Sequence, residues 1–513
     1  MNPKSSEAKH LRPDTLVASV TILLVANLVQ RSIGFGRGIM FCRWLTPDEL
    51  GTWEMAYSFL LLAAPVVVLG LPGSFGRYLE RYRQRGQLRT FLRRATVWTA
   101  VLTLAAFGLI IYEAPRFSNL IFGRPDATTL VILLALSMVA VIMHHYLEAL
   151  FAALRKFSIV STMHFCQSIS FALISLALLW SWRFAAESIV IGYGAACLLS
   201  VVVMLIWRGR AVLAEAAPDD GMAHREFWPP LMRFAFWVWV VNLSCHLFGV
   251  VDRYMLVHYS RLENTAALAL VGHYHASRIV PVLFISVATL LAGAVTPYLS
   301  HDWEIGSRQH VSDRLNAVLK ITALALLAGG VAVLWLAPIL FHVAFGGRYD
   351  QGLAVMPWTM TYCVWYSLLL VAQNYVWCAE KTRLAVVPLV VGLILNVAID
   401  LALIPTWGLQ GAVVGTTTAT AVALAVLYWI NHLAGMQLQR GLIAITLAPA
   451  ALCGGALCGT AMLVLLAAAL PFSKTLVTQD ERAALAQLGG QLLARWNAYW
   501  SRSEEQKEPA HAI

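Results

Sequence analysis

Apolar runs of about twenty residues recur along the chain from Leu16 to Leu470, separated by short polar segments. A helix of that length spans the roughly 30 Å hydrocarbon core of a bilayer and satisfies its own backbone hydrogen bonds there. Barrel strands are excluded because they would show ten-residue alternation of apolar and polar positions. The pattern predicts thirteen transmembrane helices, at 15–41, 51–72, 95–112, 128–151, 158–182, 187–207, 234–257, 267–298, 315–337, 352–379, 384–404, 408–430 and 442–470.

The segment after the last span has a different pattern. Its apolar residues Leu485, Leu488, Leu492 and Trp496 have the spacing of one face of a helix, and charged residues precede them. This arrangement is typical of a helix that lies in the membrane surface. We therefore predict an amphipathic C-terminal helix rather than a fourteenth span.

Composition agrees with a lipid environment. The chain has 513 residues, of which 59% are hydrophobic and 12% charged, about half the charged fraction of an average soluble protein. The net charge of +10 lies mostly between the spans, so nucleic acid is excluded as a partner. The eight cysteines have no pairing or metal-ligand spacing and are expected to be small buried apolar residues. We expect no metal and no cofactor.

The distribution of Lys and Arg predicts the orientation. With the N-terminus in the cytoplasm, the inner loops carry 21 of these residues and the outer loops 6, which satisfies the positive-inside rule. The densest cluster, seven arginines within 77–94, is explained by that rule. Binding of anionic lipid headgroups is the alternative role. The predicted location is the inner membrane of a bacterium.

Spans one and seven contain related sequences. Asn27, Leu28, Gly34 and Met40 of span one recur at one fixed offset in span seven, where Arg31 is replaced by His246. Six helices separate the two copies, so both cross in the same direction. We predict an all-α polytopic membrane protein of two pseudo-symmetric six-helix bundles plus one extra C-terminal helix, within a range of twelve to fourteen spans. The predicted units are residues 1–233, 234–440 and 441–513, with a substrate path between the bundles.

Polar residues inside spans are costly and need a function or a partner. In span one, Asn27, Arg31 and Gly34 lie on one helical face, with Gln30 and Arg37 at its edges. We predict that they line a basic, hydrated cavity together with residues of spans seven and eight. Several guanidinium groups in one cavity favour a phosphate ligand, which Arg can bind bidentately. The residues that spans seven and eight would contribute are Asn242, His246, His273, His275 and Arg278.

Other intramembrane polar residues have a structural interpretation that competes with a functional one. Asp252 and Arg253 contact substrate or form ion pairs with facing helices. Asp400 binds a coupling cation or proton, or is a buried structural carboxylate. His144, His145 and Glu148 lie near the inner end of span four, where an interfacial position would explain them.

These residues also occur in motifs that resemble a known family. The chain resembles the polysaccharide flippase branch of the multidrug/oligosaccharidyl-lipid/polysaccharide exporter superfamily, over roughly residues 12–440. The Arg31 and Arg37 spacing is also similar to the first helix of lipid II flippases, where such arginines contact pyrophosphate. The matching motifs are Arg31-x-x-Gly34-Phe35-x-Arg37, Leu45-Thr46-Pro47-Asp48-Glu49-Leu50-Gly51, Gly272-x-Tyr274-x-Ala276, and Asn396-x-x-x-Asp400 followed by Ile404-Pro405-x-x-Gly408-x-x-Gly411.

The resemblance implies a function. It implies alternating access by two bundles, which moves an isoprenoid-pyrophosphate-linked oligosaccharide from the inner to the outer leaflet for lipopolysaccharide or exopolysaccharide synthesis. The expected partners are this lipid-linked oligosaccharide, membrane lipid, and polymerase and export proteins.

Two other functions compete with the flippase. A cation-coupled drug or metabolite antiporter of the same superfamily would favour an acidic, aromatic cavity. A membrane glycan polymerase or ligase would need a large outer loop with catalytic residues, and no long outer loop is present. The sequence also lacks phosphate-cradling loops and nucleophile elbows, so we expect no enzymatic activity.

Overall fold

A computed structural model of the chain describes residues 16–215, 224–469 and Ser473, and their regular structure is helical. The first half begins with a 29-residue helix and continues to Glu215. Its helices are α1 (Leu16–Trp44), α2 (Pro47–Val67), α3 (Phe75–Gln84), α4 (Leu88–Tyr112), α5 (Ala114–Phe122), α6 (Thr128–Ala153), α7 (Phe157–Ser181) and α8 (Ala186–Glu215).

The second half repeats this pattern of long helices joined by short turns. Gly408, with a φ of 55°, forms the turn between the two most closely packed helices of this half, Thr382–Trp407 and Leu409–Leu433. The helices are α9 (His224–Tyr259), α10 (Asn264–Arg278), α11 (Pro281–Glu304), α12 (Arg308–Ile339), α13 (Asp350–Ala372), α14 (Asn374–Cys378), α15 (Thr382–Trp407), α16 (Leu409–Leu433), α17 (Arg440–Leu447) and α18 (Gly455–Ala469).

Twelve helical segments in the described part of the chain are long and apolar enough to cross a membrane. Helix α1 has 29 residues and extends about 43 Å, which is long enough to cross the hydrocarbon core of a bilayer. The prediction of a polytopic all-α protein with two pseudo-symmetric bundles is confirmed. The predicted amphipathic tail, with Leu485 to Trp496, lies outside the described residues, as does the side chain of Asn27.

The predicted span 267–298 is wrong in detail. The apolar stretch 267–298 is not one helix but two, α10 and α11, with a break at Ile279 and Val280. Pro281 begins the second helix, because proline has no N–H for the helix ladder and clashes with the preceding turn.

The domain boundaries stay a prediction. Helix α9 begins at His224 and therefore crosses the proposed boundary at 233/234, while α17 begins at Arg440, beside the second one.

The two bundles meet where α2 crosses α10. A Cβ on Gly51 would lie 1.8 Å from the carbonyl oxygen of Leu268, and one on Gly272 would lie 1.9 Å from that of Pro47. Only glycine permits so close an approach at both positions. The crossing is at the end of the bundles where α1 joins α2 and α9 joins α10, which the predicted orientation places outside. We call it the outer crossing.

Candidate functional site

A cavity of about 590 Å³ lies between the bundles. Its wall is built by α1, α2, α6, α7 and α8 on one side and by α9, α10, α11 and α13 on the other. The sequence repeat meets here, because Arg31 and Gly34 of α1 and their counterparts His246 and Gly249 of α9 all line the same space. The cavity therefore lies at the interface of the two halves.

Most of the predicted site residues line this cavity. Helix α1 contributes Gln30, Arg31 and Arg37, and the second bundle contributes His246, Arg253, His275 and Arg278. Asn242 lies instead in a smaller pocket of about 230 Å³, which it shares with His246. His273 is not in the cavity wall, and its ring packs edge-on against Tyr349.

Three of these arginines have no acidic partner among the described residues. Arg31 is solvent-exposed. The Arg37 guanidinium lies 3.9 Å from the centre of the Phe171 ring, and Arg278 lies 5.2 Å from that of Tyr274. The Nε and Nη1 atoms of Arg278 are buried without a hydrogen-bond acceptor. Unpaired buried donors on a permanent cation favour an anionic ligand.

Arg253 and His275 share an acidic partner that is not among the predicted site residues. Glu54 of α2 is buried and lies 2.8 Å from Arg253 and 2.6 Å from His275 Nδ1. Arg253 also donates a hydrogen bond of 2.8 Å to Ser58. Because Glu54 belongs to the first bundle and its partners to the second, this group links the two bundles just inside the outer crossing.

Asp252 points away from the cavity into a polar network of the second bundle. It accepts hydrogen bonds from Asn396 at 2.5 Å, Thr416 at 2.7 Å and Tyr274 at 3.0 Å. Its neighbour along the chain, Arg253, therefore pairs with a different carboxylate.

Asp400 is one helical turn beyond Asn396 on α15, and it is fully buried. Neither of its carboxylate oxygens has a hydrogen-bond partner in the described residues. A Cβ on Gly415 of α16 would lie 2.3 Å from one of these oxygens, so glycine leaves the room that Asp400 occupies. An uncompensated charge here would be costly, so this carboxyl requires a proton or a bound cation.

A histidine cluster forms the wall opposite α9. His144, His145 and His164 all line the cavity, and Glu148 lies 2.9 Å from His145 Nδ1 and 3.1 Å from His164 Nε2. The side chain of His144 is 3% exposed and contacts Ser200 of α8, so it packs inside the first bundle, and the interfacial interpretation stays a prediction.

Glu54, His164 and the aromatic lining of the cavity are not among the residues predicted from the sequence. Glu54 and His164 are each an isolated ionisable residue in an apolar span, and this isolation alone could have marked them as candidate site residues. The aromatic residues had no such signal, because rings in apolar spans are ordinary core residues. The aromatic lining consists of Phe35, Phe41, Trp53, Tyr57, Phe171, Tyr193, Tyr362 and Tyr366.

An apolar groove of about 540 Å³ adjoins the cavity, and Val250 lines both. Its walls come from α2, α4, α5 and α9, and polar atoms are nearly absent from its surface. The basic cavity and an apolar surface groove therefore lie next to each other and share one wall residue.

Comparisons of sequence identify relatives. Residues 16–303 match the family described as polysaccharide biosynthesis protein. The lipid II flippase MurJ of Bacillus subtilis (strain 168) is 18% identical over 442 residues, which cover 80% of this chain and 81% of that protein. Stage V sporulation protein B of the same organism is 26% identical over 126 residues, 24% of each chain.

Solved structures show the same fold. The lipid II flippase MurJ in an inward closed conformation matches with a TM-score of 0.67 at 14% identity, covering 88% of this chain and 98% of that chain. An inward-facing multidrug resistance transporter of the MATE family matches with a TM-score of 0.62 at 12% identity, covering 81% and 98%.

Proposed function

Because the chain belongs to the polysaccharide biosynthesis protein family, we propose that it flips an isoprenoid-pyrophosphate-linked oligosaccharide from the inner to the outer leaflet. The chain is a multi-pass membrane transporter rather than an enzyme. The observation that carries the proposal is the cavity with Arg31, Arg37 and Arg278, which have no acidic partner within the described part of the chain. The named flippase relative acts on a lipid-linked substrate.

The cavity and its surroundings match the three parts of such a substrate. A pyrophosphate cannot cross hydrocarbon unaided, and the arginines replace its water with charge-assisted hydrogen bonds. Tyrosine hydroxyls in the wall, such as those of Tyr57 and Tyr193, can donate to and accept from sugar hydroxyls. The isoprenoid chain can stay in the bilayer, beside the apolar groove that shares Val250 with the cavity.

The closed outer crossing suggests how transport is controlled. Opening toward the outer leaflet requires α2 to separate from α10 and Glu54 to separate from Arg253 and His275. A bound pyrophosphate competes with Glu54 for these two cations, so substrate binding weakens the link that keeps the outside closed. Substrate shifts the equilibrium between the outward-closed and outward-open states only by the difference in its binding free energy to these two states.

We assign the reset of the transporter to Asp400. Its unpaired, buried carboxyl fits a site that takes up and releases a coupling cation or proton. Asp252, which three donors already satisfy, holds the neighbouring helices in place.

The drug antiporter of the same superfamily is the second candidate, because a MATE transporter shares the fold and the cavity is rich in aromatic rings. The charge of the wall favours the flippase. Four arginines line the cavity, namely Arg31, Arg37, Arg253 and Arg278, and Glu54 is the acidic residue of the wall among the described residues. Such a wall repels cationic drugs.

The test is depletion in the native host, with the leaflet location of lipid-linked glycan and the amount of surface polysaccharide as readouts. The proposal expects lipid-linked glycan to accumulate in the inner leaflet while surface polysaccharide is lost. Wild-type protein should restore both, whereas Arg31→Ala and Asp400→Asn should not. The matched control is Arg43→Ala, an exposed arginine of the same helix that is outside the cavity.

Normal surface polysaccharide and outward-facing lipid-linked glycan after depletion would refute the flippase and favour the antiporter. The inner-membrane location and the cytoplasmic N-terminus belong to the same proposal. They are tested by fusing a reporter that is active only in the cytoplasm to the N-terminus.

A further inference from the structure

The histidine cluster has the composition of a metal site. We propose that His144, Glu148 and His164 bind a divalent transition metal, with Zn²⁺ as the best match. A ligand atom of each residue lies within 4.8 Å of those of the other two. Two imidazoles and one carboxylate form the ligand set of zinc sites that keep a fourth position open for water or substrate.

The three ligands come from two neighbouring helices, α6 and α7. His144 and Glu148 are one helical turn apart on α6 and therefore share a face, and His164 faces them from α7. Glu148 Oε1 and His164 Nε2 are 3.1 Å apart, close to the edge of a tetrahedron with metal–ligand bonds of about 2.0–2.1 Å, which is roughly 3.3 Å. The metal would replace the direct contact between these two atoms.

A hydrogen bond to Ser200 orients His144 as a metal ligand. Ser200 donates its one hydroxyl hydrogen to the carbonyl oxygen of Cys197 at 2.7 Å, so at 2.6 Å from His144 it accepts a hydrogen bond from Nδ1–H. That contact fixes the tautomer and leaves the lone pair of Nε2 free. Metal-binding histidines are commonly oriented by such a second hydrogen bond.

His145 orients Glu148 in the way that Ser200 orients His144. Its Nδ1 lies 2.9 Å from Oε2, the oxygen that does not face His164. His144, His145 and His164 line the cavity, so the open position of the metal would face the space where substrate travels. The site adds cationic charge to that wall. A contact between the metal and a phosphate oxygen rests on the proposed function, whereas metal binding itself does not.

The experiment measures Zn²⁺ binding to full-length protein in detergent. The protein is purified without a polyhistidine tag and treated with a chelator, and Zn²⁺ is titrated calorimetrically. We expect one Zn²⁺ per chain. His164→Ala and Glu148→Gln should each weaken binding at least tenfold, and His145→Ala about tenfold, the range for loss of an orienting partner. His342→Ala, an exposed histidine outside the cavity, is the matched control and should leave binding unchanged.

Two further measurements guard against misfolding of a variant. His164→Asn keeps a polar side chain of similar size and should lose binding while it elutes from gel filtration like the wild type. Co²⁺ bound to the wild type should give the visible absorption of a tetrahedral site. Absence of stoichiometric Zn²⁺ binding, or equal affinity in wild type, Glu148→Gln and His164→Ala, would overturn the metal site. Either result leaves the flippase proposal standing, because that proposal is tested by leaflet location.

Discussion

Helices α1 and α9 have related sequences but use their polar residues in opposite ways. On α1, Arg31 is exposed to the cavity and Arg37 contacts an aromatic ring, and neither has an acidic partner among the residues that the structure describes. On α9, Asp252 and Arg253 are buried and fully paired. One copy of the repeat therefore presents charge to a ligand, while the other uses charge to hold helices and bundles together.

The largest effect should come from removing the partner of Arg253. We expect Glu54→Gln to cost about 3–5 kcal/mol of stability, because it leaves a buried guanidinium unpaired. Chemical denaturation in detergent measures this cost. Glu304→Gln, at an exposed position, is the control and should change stability by less than about 0.5 kcal/mol. Equal stability of the two variants would mean that the Glu54 link does not hold the bundles.

The two aspartates of the second bundle should respond differently to the same substitution. Asp252→Asn replaces an acceptor of three hydrogen bonds and should cost about 1.5–3 kcal/mol, the range for hydrogen bonds to a charged group. Asp400→Asn removes a carboxyl without partners and should leave stability unchanged or raise it. Denaturation of both variants measures the difference. A similar loss in both would indicate that Asp400 is a structural residue.

A methyl group at the outer crossing should separate the bundles. Gly51→Ala places a Cβ 1.8 Å from a backbone carbonyl of α10, and overpacking of this kind costs about 1–3 kcal/mol. We expect a shift toward the outward-open state, seen as a longer distance between spin labels at positions 46 and 263. Gly36→Ala, whose Cβ would meet nothing within 4 Å, is the control. An unchanged distance in Gly51→Ala would show that the crossing is not the closure.

The smallest effect on stability is expected on α1. Arg31→Ala removes an exposed side chain without a salt bridge and should change stability by less than about 0.5 kcal/mol, although transport is lost. Denaturation, performed beside the transport assay, measures both. A loss of stability equal to that of Glu54→Gln would make Arg31 structural and remove the difference between α1 and α9.

The fold was predictable because the recurring apolar runs and the related sequences of α1 and α9 can be recognised in the sequence without knowing which helices are in contact. The break before Pro281 was marked by the proline itself, but the long apolar stretch was interpreted as one helix. The pairing of Glu54 with Arg253 and His275 was not predictable, since it depends on how two distant helices cross. For the same reason the sequence could not join His164 to Glu148.

The most direct test of the basic cavity is the binding of a long-chain isoprenyl pyrophosphate to the purified protein, measured by thermal stabilisation at increasing ligand concentration. The account predicts that Arg31→Ala and Arg278→Ala each weaken binding at least tenfold, whereas Arg43→Ala binds like the wild type. Loss of a charge-assisted bond of about 1.5–3 kcal/mol corresponds to that change. Equal affinity in all four proteins would contradict the claim that the unpaired arginines recognise the pyrophosphate.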